Sequence, residues 1–541
     1  MSSTPKDYRI IAASKVSQQR CKIPRAWQIS SDITKNATNY MEIPTTCGIL
    51  SHVERDITSN YDATALLPKL KAGIFSVEQV TVAFCKRAAI AHQLVNCLTE
   101  IFFDKAIERA RMLDAKRRET PSEALPPLFG LPISLKDSFQ VLGEDTSAGL
   151  GCYVNEPAEE NSALAAMLLD LGAVLYCKTN LPQSIMTGDS DNNVFGRTLN
   201  PRNIHLTAGG STGGEGALLA LRGSILGAGT DIGGSIRVPS VCNGIYGFRP
   251  SVGVIPHGGV RDLTVPGTAG VMSSAGPLAT SLRDCSLFLK SIMQAGTWRY
   301  DSTVISLPWA DLKAKERLRI GLAEDDGIYT PTPPVRRGLR MAADLIRERG
   351  DIEIIPITLP NVREHFQDLF DYWTLSGSEY YLEQFGRTGE PLVPSLKATG
   401  LLLNPGKSLQ GFFDLNVRRA EAAKSYLELF RDNDLDAILM PPAPHTAVPL
   451  DTWSTATYTG LWNYLDYPAV VIPVDRVREE DSVDDVSNAK FGEGDAKLYN
   501  LYTGPKMYKD MPVCVQLVGY RHADEALANS AAVLDRIINC H

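Results

Sequence analysis

The residues able to attack a carbonyl or pass a proton are concentrated where this chain is richest in glycine. Between His205 and Pro250 the sequence sets glycines around Ser211, Thr212 and Ser235. Glycine tolerates positive φ and close backbone approach, which suits a site whose main-chain N–H groups must face a ligand. The stretch from Gly229 to Ser235 reads GTDIGGS. Its run Ile232, Gly233, Gly234 and Ser235 can turn successive N–H groups inward and so cradle an anion. If Ser235 Oγ attacks a carbonyl, the same groups hold the oxyanion that forms. One such donor is worth about 3–4 kcal/mol of barrier. Upstream, GGSTGGEGALLAL sets Ser211 and Thr212 just before a helix-like run, Glu215 to Arg222. The N-terminus of that run adds positive potential to the same place.

A serine hydroxyl needs a base. None of the eight histidines stands in a telling context. Each reads as an ordinary surface or core residue, so a Ser–His–Asp solution has no obvious member. A lysine is the better candidate. LPISLKDSF places Lys136 at the end of the apolar run Leu131 to Leu135, which reads as a buried strand. Burial disfavours the ammonium and lowers a lysine pKa toward neutrality, where it can act as a general base. Taken alone, a lysine at a strand end more often sends its head to water.

With GGSTGGEGALLAL, GTDIGGSIRVPS and PISLKDS in hand, the chain resembles the amidase signature family, and within it the fungal general amidases of acetamidase type. The likeness spans roughly Asp62 to Ile538. It implies a triad of Lys136 as base, Ser211 in a cis peptide as proton relay, and Ser235 as nucleophile. It implies an oxyanion hole from the backbone of Ile232, Gly233, Gly234 and Ser235. TNLPQSIM also matches and puts Ile185 where the family's backbone contacts substrate. Thr212, Asp231 and Arg237 are implied in support, holding the glycine loop and orienting the serines. An ordinary structural ion pair between Asp231 and Arg237 is compatible with that role. Two positions depart from the family pattern. Thr212 stands where serine is commoner, and Cys514 replaces a usual glycine.

Three rival readings remain open on sequence. Gly209-Gly210-Ser211-Thr212-Gly213 satisfies GxSxG, the nucleophile elbow of α/β-hydrolases. That choice makes Ser211 the nucleophile and leaves the second glycine-rich serine unexplained. The glycines from Gly227 to Gly233 form a loosened dinucleotide loop, but Pro239 follows closely and Phe248 and Arg249 stand near the position that needs an acid. The resemblance also admits the glutaminase-type subunit of an amidotransferase. The flanks from Asn60 to Leu67 and YTGLWNYLDYPA favour a stand-alone amidase.

These residues require a strand to carry Lys136 and turns to carry the serines. LPISL, SALAAMLLDLG and AVLYCKTN give a strand–helix–strand rhythm. The expected fold is α/β, a large mixed central sheet covered by helices, with a helical N-terminal region. Residues 1–60 form a polar arm that wraps the body or frays, and 61–541 form the amidase domain. A helical excursion at about 362–434 sits near the site mouth or forms a peripheral layer. SVEQVTVAFCKRAAIAHQLV opens on a capping-box-like SxxQ. Glu119 to Pro127 reads as a loop, the run after Ser274, GPLATSLRDCSLFLKSIMQ, as one helix, and 475–494 as an exposed acidic loop. Tyr458, Trp462 and Asn463 either line a pocket or pack.

The chain has 541 residues, of which 44% are hydrophobic and 21% charged, enough for a sizeable core. A net charge of −8 argues against nucleic acid as partner. The ten cysteines are scattered, with no CxxC pair and no metal spacing, and read as reduced thiols. No apolar h-region opens the chain and no membrane-length apolar run occurs. A cytoplasmic enzyme follows, with a small-molecule amide as its partner and no metal or organic cofactor. A homodimer is left open.

Overall fold

The computed structural model describes residues 7–119, 124–312, 315 and 317–539. Residues 1–6 of the expected arm, 120–123 of the expected loop, and the last two residues with Cys540 lie outside these.

Among the described residues, eleven strands form one sheet. They are β1 (Leu98–Ile101), β2 (Pro132–Lys136), β3 (Val174–Thr179), β4 (Leu226–Asp231), β5 (Tyr246–Arg249) and β6 (Ser274–Ala279). Then come β7 (Leu318–Leu322), β8 (Ile352–Pro356), β9 (Ala437–Met440), β10 (Ala469–Arg476) and β11 (Pro512–Val518). Their order across the sheet is β1-β3-β2-β4-β6-β5-β10-β11-β9-β7-β8. The sheet is mixed: β2 runs parallel to β3 and β4, whereas β4 runs antiparallel to β6. β2 and β3 are buried along their whole length, as expected of parallel strands covered on both faces. Helices cover the sheet, so the fold is the α/β architecture expected.

The register beneath the site matters most. Ser134 lies opposite Gly227 and Leu135 opposite Ala228, which brings Lys136 at the end of β2 alongside the end of β4. Helix Gly213–Ala220 follows the first serine loop and helix Arg237–Asn243 follows the second. The carboxyl of Glu215, fully buried, accepts hydrogen bonds from Ser134 of β2 and from Thr179 of β3, the latter at 2.9 Å. Burial pushes it up to about 7, against the Ser134 and Thr179 hydrogen bonds, which favour the ionised form.

Within residues 8–60, helices run over Tyr8–Cys21 and His52–Asn60, joined by turns and short helical pieces. The first docks through polar groups. Lys15, 6% exposed, pairs with Glu100 at 2.7 Å and Asp145 at 2.6 Å, and Gln19 donates to the Leu98 carbonyl at 2.8 Å. The Ser76 hydroxyl caps helix Val77–Val95 by accepting the Gln79 N–H at 3.0 Å. The run after Ser274 is corrected: it divides into β6 and a separate helix, Leu282–Met293. A Cβ at Gly276 would collide with the Phe248 carbonyl of β5, so only glycine fits there. The acidic stretch 475–494 is also more anchored than expected. Asp475 and Asp481 both clamp Arg337, and Asp481 is 4% exposed. The excursion forms helices Val362–Trp373, Glu379–Gly386, Pro394–Thr399 and Leu409–Asp432.

Candidate active site

The site is assembled where β2 and β4 end side by side. Lys136 is completely buried, and its Nζ donates to Ser211 Oγ at 2.6 Å and to Thr230 Oγ1 at 2.9 Å. Burial pulls its amine down to about 7, against the opposing influence of Asp231. That value makes the uncharged amine, which can accept a proton, accessible near neutral pH. No carboxylate among the described residues forms an ion pair with it. This resolves the sequence ambiguity: the side chain stays inside rather than reaching for water.

Ser211 is 1% exposed and follows a cis Gly210–Ser211 peptide, the geometry the resemblance implied. Ser235 is partly exposed, and its hydroxyl makes no hydrogen bond within the described residues. The two serine loops are tied together, because the Thr212 N–H donates to the Ser235 carbonyl at 3.2 Å. The Lys136–Ser211 contact is therefore formed, and a Ser211–Ser235 hydrogen bond is not. No described histidine bonds to either serine; His92 and His445 are buried in the core. The GxSxG alternative therefore lacks the histidine it needs.

The glycine loop is held from beneath. Asp231 Oδ1 accepts from Gly234 N at 2.8 Å, Arg237 Nη2 at 3.0 Å and Asn463 Nδ2 at 2.9 Å. Its Oδ2 accepts from Ile236 N and Arg237 Nε, both at 3.1 Å. Burial alone would raise this carboxyl, but Arg237, Arg249 and Asn463 overcome that and hold it far below the usual range. Arg237 also donates to the Thr459 carbonyl at 2.9 Å and to Asn463 Oδ1 at 2.6 Å. Asp231 and Arg237 thus fix the loop and do not face outward.

One part of the expected cradle needs correction. The N–H of Gly234 is spent on Asp231, so it is not free to meet an oxyanion. The N–H groups of Ile232, Gly233 and Ser235 have no acceptor among the described residues. Gly234 has φ +130°, and a Cβ there would collide with the Thr459 hydroxyl, which itself bonds the Gly233 carbonyl at 2.6 Å. Thr212 Oγ1 is buried without a partner among the described residues, and its methyl packs toward Gly229. Ile185 ends the short 3-10 turn Gln183–Ile185 with φ +66°, after Ser184 at φ +60°. Left-handed backbone at a β-branched residue is a sparsely populated conformation that clusters at functional sites.

The wider comparisons fit this geometry. A family model described as Amidase matches residues 79–528. The chain belongs to the amidase family. The amidase is 38% identical to a putative amidase of Schizosaccharomyces pombe, over 98% of this chain and 99% of that one. It is 37% identical to an acetamidase of Emericella nidulans, over 96% of each. Among solved structures it resembles fatty acid amide hydrolase, with a TM-score of 0.91 and 30% identity over 98% of this chain and 95% of that one. The amidase is accordingly a hydrolase of linear amides.

Sequence reasoning missed several residues of the amidase site. Thr230, one residue before Asp231, was visible only as part of GTDIGGS. Thr459 and Asn463 brace the glycine loop, so Asn463 is no pocket wall. Trp462 is fully buried, and Tyr458 donates to the Tyr329 carbonyl at 2.5 Å, so both pack. Cys514 is buried beside Val241 and Val471. No helix among the described residues is long and apolar enough to cross a membrane.

Proposed function

We propose that the chain hydrolyses carboxylic amides with Ser235 as nucleophile, Ser211 as proton relay and Lys136 as base. The observation that carries this reading is the buried Lys136 amine, pulled down to about 7, at 2.6 Å from Ser211 Oγ. Substrate entry draws the Ser235 hydroxyl to Ser211. Neutral Lys136 then takes the Ser211 proton as Ser211 takes that of Ser235, and Ser235 Oγ bonds to the amide carbon. The oxyanion rests on the unpaired N–H groups of Ile232, Gly233 and Ser235. Lys136, now charged, returns its proton through Ser211 to the leaving nitrogen. The C–N bond breaks and ammonia or an amine departs. Water adds to the acyl-enzyme by the same route, and the acid leaves. The substrate is a small amide, the compartment is the cytoplasm, and Ile185 borders the bound amide through its backbone.

The partial exposure of Ser235 supports its role as nucleophile over Ser211, which is 1% exposed. Ammonia release from a panel of amides tests the reading, together with labelling by a fluorophosphonate that forms a covalent bond to an activated serine. Ser235→Ala is expected to abolish both. Turnover retained in Ser235→Ala would overturn it.

A further inference from the structure

Trp373 ends helix Val362–Trp373 and is partly exposed. It meets the glycine loop directly: a Cβ at Gly233 would stand 2.6 Å from its Cζ2 and 2.9 Å from its Cη2. The indole therefore occupies the space a side chain at Gly233 would fill, beside an N–H that has no protein acceptor. The ring is held by packing. Phe366 meets it edge-on with centroids 6.1 Å apart, and both lie against a cluster that includes Ile438, Met440, Ala469 and Val518 of β9, β10 and β11. Its own Nε1 makes no hydrogen bond among the described residues.

The sheet order gives the ring a side. Lys136 reaches the loop from β2, on one flank of β4, whereas Trp373 belongs to the layer over β9–β11, on the other flank. The leaving nitrogen must face Ser211, which returns its proton. The acyl substituent then points away from Lys136, toward the indole. We propose that Trp373 forms the end wall of the acyl pocket and restricts the enzyme to amides of short acyl chains such as acetamide and propionamide. This rests on the reading of Ser235 as nucleophile. An aromatic wall at the reacting centre discriminates by length, because each excess methylene must displace the ring or leave the pocket.

The test is the ratio of kcat/KM for hexanamide to that for acetamide, in wild type, Trp373→Ala and Trp373→Phe. The ratio is expected to rise by about tenfold or more in Trp373→Ala, and by less in Trp373→Phe. Trp373→Phe removes no hydrogen bond, so it and Trp373→Leu read the ratio if the alanine variant does not fold. A second arm uses Gly233→Ala, whose new methyl meets the indole. Acetamide turnover lost in that variant is expected to recover in part when Trp373→Ala is added. An unchanged ratio in all folded Trp373 variants overturns the wall while leaving the nucleophile intact. Ammonia release that persists in Ser235→Ala overturns the reading beneath it.

Discussion

Lys136 Nζ and Ser211 Oγ lie 2.6 Å apart although 75 residues separate them in the chain. One closes a parallel strand, and the other sits in the loop that leads into helix Gly213–Ala220. The amine has a second acceptor, Thr230 Oγ1, and no carboxylate partner among the described residues. Desolvation without an ion pair is what brings a lysine near neutrality. On the proposed mechanism, that arrangement lets one alcohol arm another.

Burial of this lysine has a stability cost. Its folded value lies below its unfolded value, so the folded state binds fewer protons. The cost is full below about pH 7 and fades as pH rises toward about 10.4. Lys136→Met is therefore expected to melt higher than wild type at pH 6, with the gap narrowing toward pH 10, while losing turnover. Thermal unfolding across that range measures it. A variant that melts lower at every pH would contradict the burial argument.

The Thr230 hydroxyl accepts from Nζ and so favours the ammonium over the amine. Thr230→Val should lower the lysine further and move the acid limb of the pH–rate profile below about pH 7, with activity at the plateau reduced about tenfold. A limb that moves upward would mean that Thr230 acts in another way.

Asp231 takes five donors, and its removal would leave Arg237 charged and buried. Asp231→Ala is expected to cost about 3–5 kcal/mol of stability, read from urea unfolding. Arg237→Lys keeps the charge but loses the forked contact, so kcat should fall while the fold survives. Wild-type kcat in Arg237→Lys would count against loop bracing as a condition of activity.

The glycine-rich loops were legible in sequence because their close contacts admit no side chain. Gly233 touches an indole and Gly234 a threonine hydroxyl, and such positions leave glycine in the chain wherever they occur. Lys136 was legible as the end of an apolar run, but its orientation was not, since that depends on the β2–β4 register. Trp373 was hidden for another reason. An aromatic residue in an amphipathic helix reads as core, and its contact with Gly233 spans 140 residues. Asn463 read equally as a pocket or a packing residue because its partners, Asp231 and Arg237, are distant in sequence. Helix Tyr8–Cys21 gave no apolar stripe because Lys15 and Gln19 are part of its buried face. The expected oxyanion donors were one too many because sequence cannot show that Asp231 claims the Gly234 N–H.

The pH dependence of kcat/KM for a simple amide, in wild type and in Lys136→Ala, tests the central claim most directly. In wild type the rate should rise with pH through an inflection near 7 and then level, as the buried amine loses its proton. In Lys136→Ala the rate should fall by about a thousandfold or more, and the inflection should vanish. An inflection near 7 that survives in the variant, or a flat wild-type profile from about pH 5 to 9, would contradict Lys136 as the base.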